Sequence, residues 1–203
     1  MTTNALTWWH LLGYDQHRTL LKDLIKKGRL PLVLLFSGRE GLGKKHFAVN
    51  TAAFHYCIKQ EACGCCSECQ RVISNQHSSI LRITGVDGVI KSAQLKGIEE
   101  HLFVAGSETN PSLGKRVCII NDIEQLTLSA VNKLLKLLES TPSHSFVIFT
   151  TSRKKSIAST LLSRAVNWHI APPKERECLL FLKEELTEIE DVSLLEQALM
   201  EAR

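Results

Sequence analysis

One glycine-rich stretch, residues 37–45 with the sequence Ser-Gly-Arg-Glu-Gly-Leu-Gly-Lys-Lys, constrains the possible folds of this chain more than any other. It follows an apolar run at residues 32–36 and precedes a helical pattern. A buried strand, a glycine-rich loop and a helix in this order are the context of a phosphate-binding loop, whose backbone N–H groups point at a polyphosphate. The alternative is an ordinary turn, but the spacing Gly38-x4-Gly43-Lys44 favours nucleotide-binding ancestry.

Two positions that normally serve a magnesium ion are altered in this candidate nucleotide site. Lys44 is placed to reach the outer phosphates, but Lys45 follows it where such loops carry the Ser or Thr hydroxyl that binds the ion. An apolar strand pattern ends in Asn121 and Asp122, and an amide is a weaker magnesium ligand than the carboxylate usual at the first of these positions. We therefore expect weak binding of ATP and Mg²⁺ at most, and no hydrolysis. The predicted members of this degenerate site are Gly38, Gly41, Gly43, Lys44, Lys45, Asn121, Asp122 and Thr151.

A cluster of cysteines follows the helix predicted after the loop. The chain has seven cysteines, and five of them fall between positions 57 and 69. Four thiols at this spacing favour a structural zinc ion, because zinc prefers tetrahedral thiolate coordination and a small insertion needs the metal to fold. Reduced cysteines in a loop are the alternative, and Cys65 is interpreted as a bystander because adjacent ligands rarely fit one tetrahedron. The predicted ligands are Cys57, Cys63, Cys66 and Cys69, with His55 as the alternative to Cys57.

Strand patterns alternate with helical patterns along the chain, which predicts an α/β fold with a doubly wound, mostly parallel sheet. Between the second and third strands, Ser92 is a candidate cap for a helix that extends through Phe103. The continuous apolar character of most strands is typical of strands buried on both faces. The predicted strands are residues 32–36, 79–83, 116–120, 145–151 and 166–170.

Length and charge bound the domain organisation. With 203 residues, the chain accommodates one large domain or one domain with a small appendage. We expect the sheet and the cysteine insertion within residues 1–170, and the start of a helical domain at residues 171–203, with helices at 176–186 and 193–203. Residues 174–203 carry nine acidic and four basic residues, so the net charge of +4 leaves +9 on residues 1–173. This basic domain is compatible with a nucleic acid or nucleotide partner, or with an ordinary solvated surface.

The sequence lacks features of a secreted or membrane protein. Its first residues show no basic region followed by an apolar core, and no apolar run approaches the roughly 20 residues that span a bilayer. We therefore expect a cytoplasmic protein without membrane contact, in which seven cysteines do not form a disulfide framework.

Taken together, these motifs resemble the clamp-loader branch of the AAA+ proteins, and within it the delta-prime family of bacterial DNA polymerase III subunits. The resemblance implies a P-loop NTPase-like sheet with a small zinc-binding insertion at about residues 57–69, followed by a small all-helical lid that is incomplete here, without the collar domain usual in the family. The segments that carry the resemblance are residues 12–16, 36–44, 63–69, 132–139 and 160–165.

The resemblance also implies a function and partners. It implies an ATP-inert component that helps to load the sliding clamp onto primed DNA, together with gamma/tau and delta clamp-loader subunits. Arg164 matches the arginine-finger segment of the family, so it is expected to act in trans on ATP bound by a neighbouring subunit; a surface salt bridge is its alternative role. Two other functions are alternatives: an active gamma/tau-type ATPase, which Lys45 and Asn121 disfavour, and an unrelated zinc-dependent DNA-binding module, which the surrounding sheet pattern disfavours.

Overall fold

The computed structural model of the chain describes residues 13–103, 115–174 and 177–178. The helices predicted at residues 176–186 and 193–203 therefore lie outside the described residues, apart from residues 177 and 178. The division into two domains at residue 170 remains a prediction. Within the described part of the chain, no helix combines the length and the apolar character needed to cross a bilayer.

A five-stranded sheet forms the centre of the fold, with strand order β2-β3-β4-β1-β5. All four pairs of neighbouring strands are parallel. This confirms the predicted α/β fold, because parallel neighbours require crossover connections, which helices supply. The strands are β1 (Val33–Ser37), β2 (Ile80–Ile83), β3 (Arg116–Ile120), β4 (Ser145–Thr151) and β5 (Val166–His169).

Helices cover both faces of the sheet. Since successive strand residues point to opposite faces, Leu34 and Phe36 of β1 pack in one hydrophobic cluster, whereas Val33 and Leu35 pack in the other. The first cluster includes residues of α1, α2 and α3, and the second includes residues of α4, α5 and α6. The helices are α1 (Asp15–Lys26), α2 (Lys44–Tyr56), α3 (Ser67–Ile73), α4 (Ile98–Phe103), α5 (Leu128–Ser140) and α6 (Ser159–Leu162), with short 3₁₀ turns at Ile123–Gln125 and Lys154–Ser156.

The prediction of a helix starting near Ser92 is wrong in its start. Helix α4 begins only at Ile98, and the preceding residues form turns instead. Gly97 has a φ of +86°, a left-handed conformation that an α-helix does not contain. The apolar spacing still buries Leu95 against the same hydrophobic cluster as α4, which is why the pattern resembled one continuous helix.

The sheet topology places the phosphate-loop candidate at a switch point. From the end of β1 the chain crosses to β2 at the far edge of the sheet, whereas β5 lies on the other side of β1. Crevices at the carboxyl ends of parallel strands, at such a reversal of strand order, are the usual ligand sites of open α/β sheets. The loops after β1, β3 and β4 therefore meet at the carboxyl ends of the strands.

Candidate functional site

The loop between β1 and α2 has the backbone that a phosphate-binding loop requires. A Cβ atom at Gly38 would lie 2.4 Å from the carbonyl oxygen of Ile170, so only glycine fits there. Gly43 is the N-cap residue of α2, with a φ of 78° and no side chain to cap the helix. The first N–H groups of this 13-residue helix thus face the loop without a side-chain cap, at the positive end of the helix dipole.

A cleft of about 740 Å³ opens beside this loop. Its walls come from the loop, from the start of α2 and from the segments after β3 and β4. Five members of the predicted nucleotide site line the cleft, namely Gly41, Gly43, Lys44, Lys45 and Asp122. Gly38, Asn121 and Thr151 are not among its lining residues.

The two lysines occupy different positions in the cleft. Lys44 is buried, and its ammonium group donates a hydrogen bond to the carbonyl oxygen of Arg39 within the loop. Burial lowers the pKa of Lys44, while the neighbouring carboxylates, chiefly that of Asp122, oppose this shift. Lys45 is half-exposed, and its Nζ lies 2.6 Å from Oδ2 of Asp122. An ammonium–carboxylate pair therefore connects the loop to the end of β3.

Asn121 and Asp122 point in different directions at the end of β3. The amide of Asn121 donates to Oγ1 of Thr84 at 3.3 Å and accepts from Oγ1 of Thr150 at 3.2 Å. Asp122 has a left-handed backbone with a φ of 51°, and its N–H donates to Oγ1 of Thr150 at 3.1 Å. The Asp122 carboxylate, rather than the Asn121 amide, thus reaches the cleft.

Thr151 does not line the cleft but makes hydrogen bonds to the backbone of two residues beside it, Arg153 and Gly38. Its buried hydroxyl accepts a hydrogen bond from the N–H of Arg153 at 3.1 Å, and its carbonyl accepts one from the N–H of Gly38 at 3.3 Å. Thr151 therefore holds the end of β4 against the phosphate-loop candidate, and it positions Arg153 on the cleft wall.

Besides Glu40 of the loop, sequence reasoning missed two charged residues of the cleft, Glu124 and Arg153. The Glu124 side chain is only 4% exposed, and its Oε1 accepts a hydrogen bond from the N–H of Ser152 at 3.0 Å. Arg153 Nε lies 3.9 Å from the same oxygen. Both residues follow a predicted strand within a few positions, and this placement at the carboxyl ends of β3 and β4 was the available signal.

The four predicted cysteine ligands lie together. The Sγ atoms of Cys57, Cys63, Cys66 and Cys69 are all within 4.8 Å of one another. Sγ of Cys57 is 3.6 Å from that of Cys63 and 4.0 Å from that of Cys66. A tetrahedron with Zn–S bonds of about 2.3 Å has sulfur–sulfur edges of about 3.8 Å, so the thiols are positioned to hold one metal ion.

Two sulfur atoms of the cluster accept hydrogen bonds from backbone N–H groups. The N–H of Cys63 donates to Sγ of Cys57 at 3.3 Å, and the N–H of Cys69 donates to Sγ of Cys66 at 3.5 Å at the start of α3. Burial raises the pKa of the Cys57 thiol, but hydrogen bonds from backbone N–H groups, that of Cys63 first, lower it overall. The thiolate, the form that binds metals, is thus favoured at Cys57, whereas burial raises the pKa of the Cys69 thiol.

Neither Cys65, the predicted bystander, nor His55, the alternative ligand, belongs to the cluster. Cys65 is exposed, as expected for a bystander. His55 packs its ring against Tyr56 and Phe146, with both centroid distances 5.4 Å. Within the described residues, the group of side chains that can share a metal contains Cys57 and not His55.

Arg164 lies near the amino-terminal ends of the parallel strands, whereas the cleft lies at their carboxyl ends. It precedes β5, whose first residue Val166 pairs with Leu34 near the start of β1. The loop and the cleft, in contrast, follow the ends of the parallel strands. The Arg164 guanidinium donates from Nη2 to Oε1 of Glu139 at 2.7 Å and from Nη1 to the carbonyl of Thr160 at 3.1 Å. The side chain is 38% exposed, so part of the guanidinium surface faces solvent.

Comparison with known proteins relates the chain to bacterial replication subunits. The sequence model of the family described as DNA polymerase III, delta subunit, matches residues 14–174. DNA polymerase III subunit delta' of Bacillus subtilis is 32% identical over 148 residues, which are 71% of this chain and 44% of the relative. DNA polymerase III subunit gamma/tau of Mycoplasma genitalium is 30% identical over 156 residues, or 75% of this chain and 25% of the relative. The chain thus spans less than half the length of these curated relatives.

Solved structures show the same fold. A DNA polymerase III gamma subunit-related protein from Thermotoga maritima superposes with a TM-score of 0.60 and 19% identity, covering 89% of this chain and 52% of the other. The RuvB Holliday junction branch migration motor of the same organism gives a TM-score of 0.54 and 18% identity, covering 87% and 50%. These likenesses show that the chain shares its fold, a parallel sheet flanked by helices, with both proteins.

Proposed function

The chain belongs to the DNA polymerase III delta subunit family, and on this premise we propose that it acts as a clamp-loader subunit of the delta-prime type. In this role it does not hydrolyse ATP but helps to load the sliding clamp onto primed DNA in the cytoplasm. One observation carries the proposal: Lys45 stands where a magnesium-binding hydroxyl belongs, and its ammonium pairs with Asp122 at 2.6 Å.

The cleft has the glycine-rich loop and the helix N-terminus of a nucleotide site, but it lacks two of the usual magnesium ligands. Phosphoryl transfer depends on a metal ion that bridges the outer phosphates and neutralises developing charge. Here the two positions that would hold this ion carry an ammonium group and an amide, and the Asn121 amide is bonded to Thr84 and Thr150. Binding of a nucleotide remains compatible with this cleft, whereas hydrolysis lacks its metal ligands.

We expect the purified chain to hydrolyse no ATP above background, with or without Mg²⁺. A sensitive phosphate-release assay measures this, and Lys44→Ala is the control because it removes the buried lysine of the loop. Any turnover that depends on Mg²⁺ and disappears in Lys44→Ala would contradict the proposal. It would instead support the second candidate function, an active ATPase of the gamma/tau type, which the similarity to the Mycoplasma genitalium protein favours.

The proposed partners are the gamma/tau and delta subunits of the same clamp loader. Co-expression of these subunits with the full-length protein, followed by affinity purification and measurement of mass, tests the assembly. We expect one complex that contains all three subunits and loads a sliding clamp onto primed DNA. Failure of the chain to join a gamma/tau–delta complex that otherwise forms would refute the proposed function.

We also propose that the metal of the cysteine cluster is zinc with a structural role. All four donors are cysteine thiols, which bind metals as thiolates. A closed tetrahedral site of four thiolates is a common arrangement for structural zinc. The cluster lies beside α2 and α3, and no open coordination position is needed for such a role. The zinc therefore stabilises the insertion on the sheet domain and takes no part in the nucleotide cleft.

A further inference from the structure

We propose that Cys63 is a site of oxidative modification: a hydroperoxide oxidises its sulfur, a disulfide with Cys57 follows, and the cysteine cluster loses its metal ion. The inference goes beyond the proposed clamp-loader function and rests only on the structural zinc proposed for the four thiols. It gives the cluster a second property, because the thiols that stabilise the sheet domain in the reduced form release the metal in the oxidised form.

Cys63 is the ligand that a small reagent in solvent reaches. It is half-buried and lines an open groove of about 410 Å³, whose walls come from α1, from the end of α2 and from the segment that carries Glu61. Cys57 and Cys69 are buried, with exposed fractions of 3% and 0%. Cys66 is also half-buried, but its Sγ accepts a hydrogen bond from the N–H of Cys69 at 3.5 Å. Donors that stabilise a thiolate also lower its nucleophilicity, so Cys63 is the favoured point of attack.

Cys57 is positioned to react with an oxidised Cys63. The two Sγ atoms are 3.6 Å apart, and the N–H of Cys63 donates to Sγ of Cys57 at 3.3 Å, which holds the two residues in contact. A disulfide bond is about 2.05 Å long, so the sulfur atoms need to approach by about 1.5 Å. A rotation of the half-buried Cys63 side chain towards the buried Cys57 supplies a movement of this size.

The reaction consumes one hydrogen peroxide and two thiolates. The Cys63 thiolate attacks one peroxide oxygen, a sulfur–oxygen bond forms, the oxygen–oxygen bond breaks and the second oxygen leaves as hydroxide. The Cys57 thiolate then attacks the sulfur of the Cys63 sulfenic acid, the disulfide forms and a second hydroxide leaves. The two sulfur atoms together lose two electrons and the peroxide gains them. Cys66 and Cys69 remain as thiolates, and two ligands do not complete the tetrahedron of a structural site.

The opposing interpretation is that Cys65 reacts first, because it is exposed. Exposure alone does not make a thiol reactive, since the thiolate is the nucleophile. A thiol that coordinates a metal is already deprotonated, and Cys63 belongs to the group of four that can share one ion, whereas Cys65 does not. The groove beside Cys63 supplies the access that the buried members of the group lack.

Oxidation of the zinc-loaded full chain tests the inference. Hydrogen peroxide is added in an equimolar amount without a thiol reductant, and a chromogenic chelator measures the zinc released. Trypsin cuts after Lys45, Lys59 and Arg71, so Cys57 lies in peptide 46–59 and Cys63 in peptide 60–71. We expect release of about one zinc ion per chain, together with a cross-link between these two peptides that fragmentation places at Cys57 and Cys63. Dithiothreitol and added zinc should restore the metal content.

Cys65→Ser is the matched variant, because it removes the exposed thiol and keeps the four ligands. It should release zinc at the wild-type rate and form the same cross-link. Zinc that stays bound after oxidation, a disulfide that contains Cys65, or a Cys65→Ser variant that retains its zinc would each overturn the inference. Metal analysis before oxidation separates the two proposals: a chain that contains no zinc refutes the zinc site itself, whereas a zinc-loaded chain that resists peroxide refutes only the oxidation of Cys63.

Discussion

Removal of the metal from the cysteine cluster is expected to destabilise the whole sheet domain, not only the insertion. Cys57, Ala62 and Cys69 are buried in the same hydrophobic cluster that contains α1, α2 and one face of the sheet. The binding free energy of a structural zinc ion is about 10–16 kcal/mol in isolated zinc-finger peptides, where it is folding free energy. Here α2 and α3 supply some packing of their own, so we expect a smaller loss of several kcal/mol. For a chain of this size, each kcal/mol lowers Tm by about 2–4 °C.

The measurement combines metal analysis with thermal unfolding. Protein purified without chelator should contain about one zinc ion per chain, and Cys69→Ser should lower both the zinc content and Tm, by about 10 °C or more. Cys65→Ser is the matched control, because Cys65 is exposed and lies outside the group of four thiols. Zinc-free protein that melts at the same temperature as the zinc-loaded form would contradict the structural role, and loss of zinc in Cys65→Ser would contradict the ligand assignment.

The sequence predicts β1, β3 and β4 well because burial on both faces leaves an almost continuous apolar run. The bounds predicted for β3 and β4 agree with the structure at both ends. Buried strands of a parallel sheet have no polar face to blur the pattern, and charged or polar residues mark their ends. The phosphate-loop candidate and the cysteine spacing are local in sequence, so both could be recognised before the structure was known.

Features that depend on contacts between distant segments could not be predicted in the same way. Lys45 and Asn121 each departed from a motif, but the ion pair of Lys45 with Asp122 depends on the left-handed backbone of Asp122 and on its hydrogen bond to Thr150. Glu124 carries no motif, and its burial results from the meeting of the segments after β3 and β4. Periodicity alone likewise could not show that Gly97 interrupts the helix before α4.

Replacement of Arg164 by alanine is expected to lower ATP hydrolysis at the neighbouring gamma/tau site by about a thousandfold or more in the assembled clamp loader, the range seen for arginine fingers. The sheet topology supports action in trans. Arg164 precedes β5 and therefore lies at the amino-terminal ends of the strands, whereas this chain's own cleft lies at their carboxyl ends. A strand of four residues is about 13 Å long, so Arg164 is far from the loop that follows β1.

The contacts of Arg164 within the chain are compatible with this role. Its ion pair with Glu139 is 2.7 Å long, but the two side chains are 38% and 59% exposed. Exposed ion pairs contribute about 0–1 kcal/mol, whereas a guanidinium can bind two oxygens of a phosphate with charge-assisted hydrogen bonds. Exchange of Glu139 for a partner's phosphate is therefore favourable, and Glu139→Gln should leave DNA-stimulated ATP hydrolysis of the complex at or above the wild-type rate.

The decisive comparison uses three variants in the reconstituted gamma/tau–delta complex, with assembly verified by mass. Arg164→Ala should abolish most DNA-stimulated ATP hydrolysis and clamp loading while the complex still forms. Arg164→Lys should restore little of either, because a lysine ammonium is a point charge that lacks the planar fork of the guanidinium. Arg71→Ala is the control, since the exposed Arg71 also pairs with a glutamate, Glu68 at 3.2 Å, and its loss should change neither rate. Full clamp loading by Arg164→Ala, or equal losses in Arg71→Ala, would mean that Arg164 is only a surface residue, because a contribution to stability alone would not separate these variants.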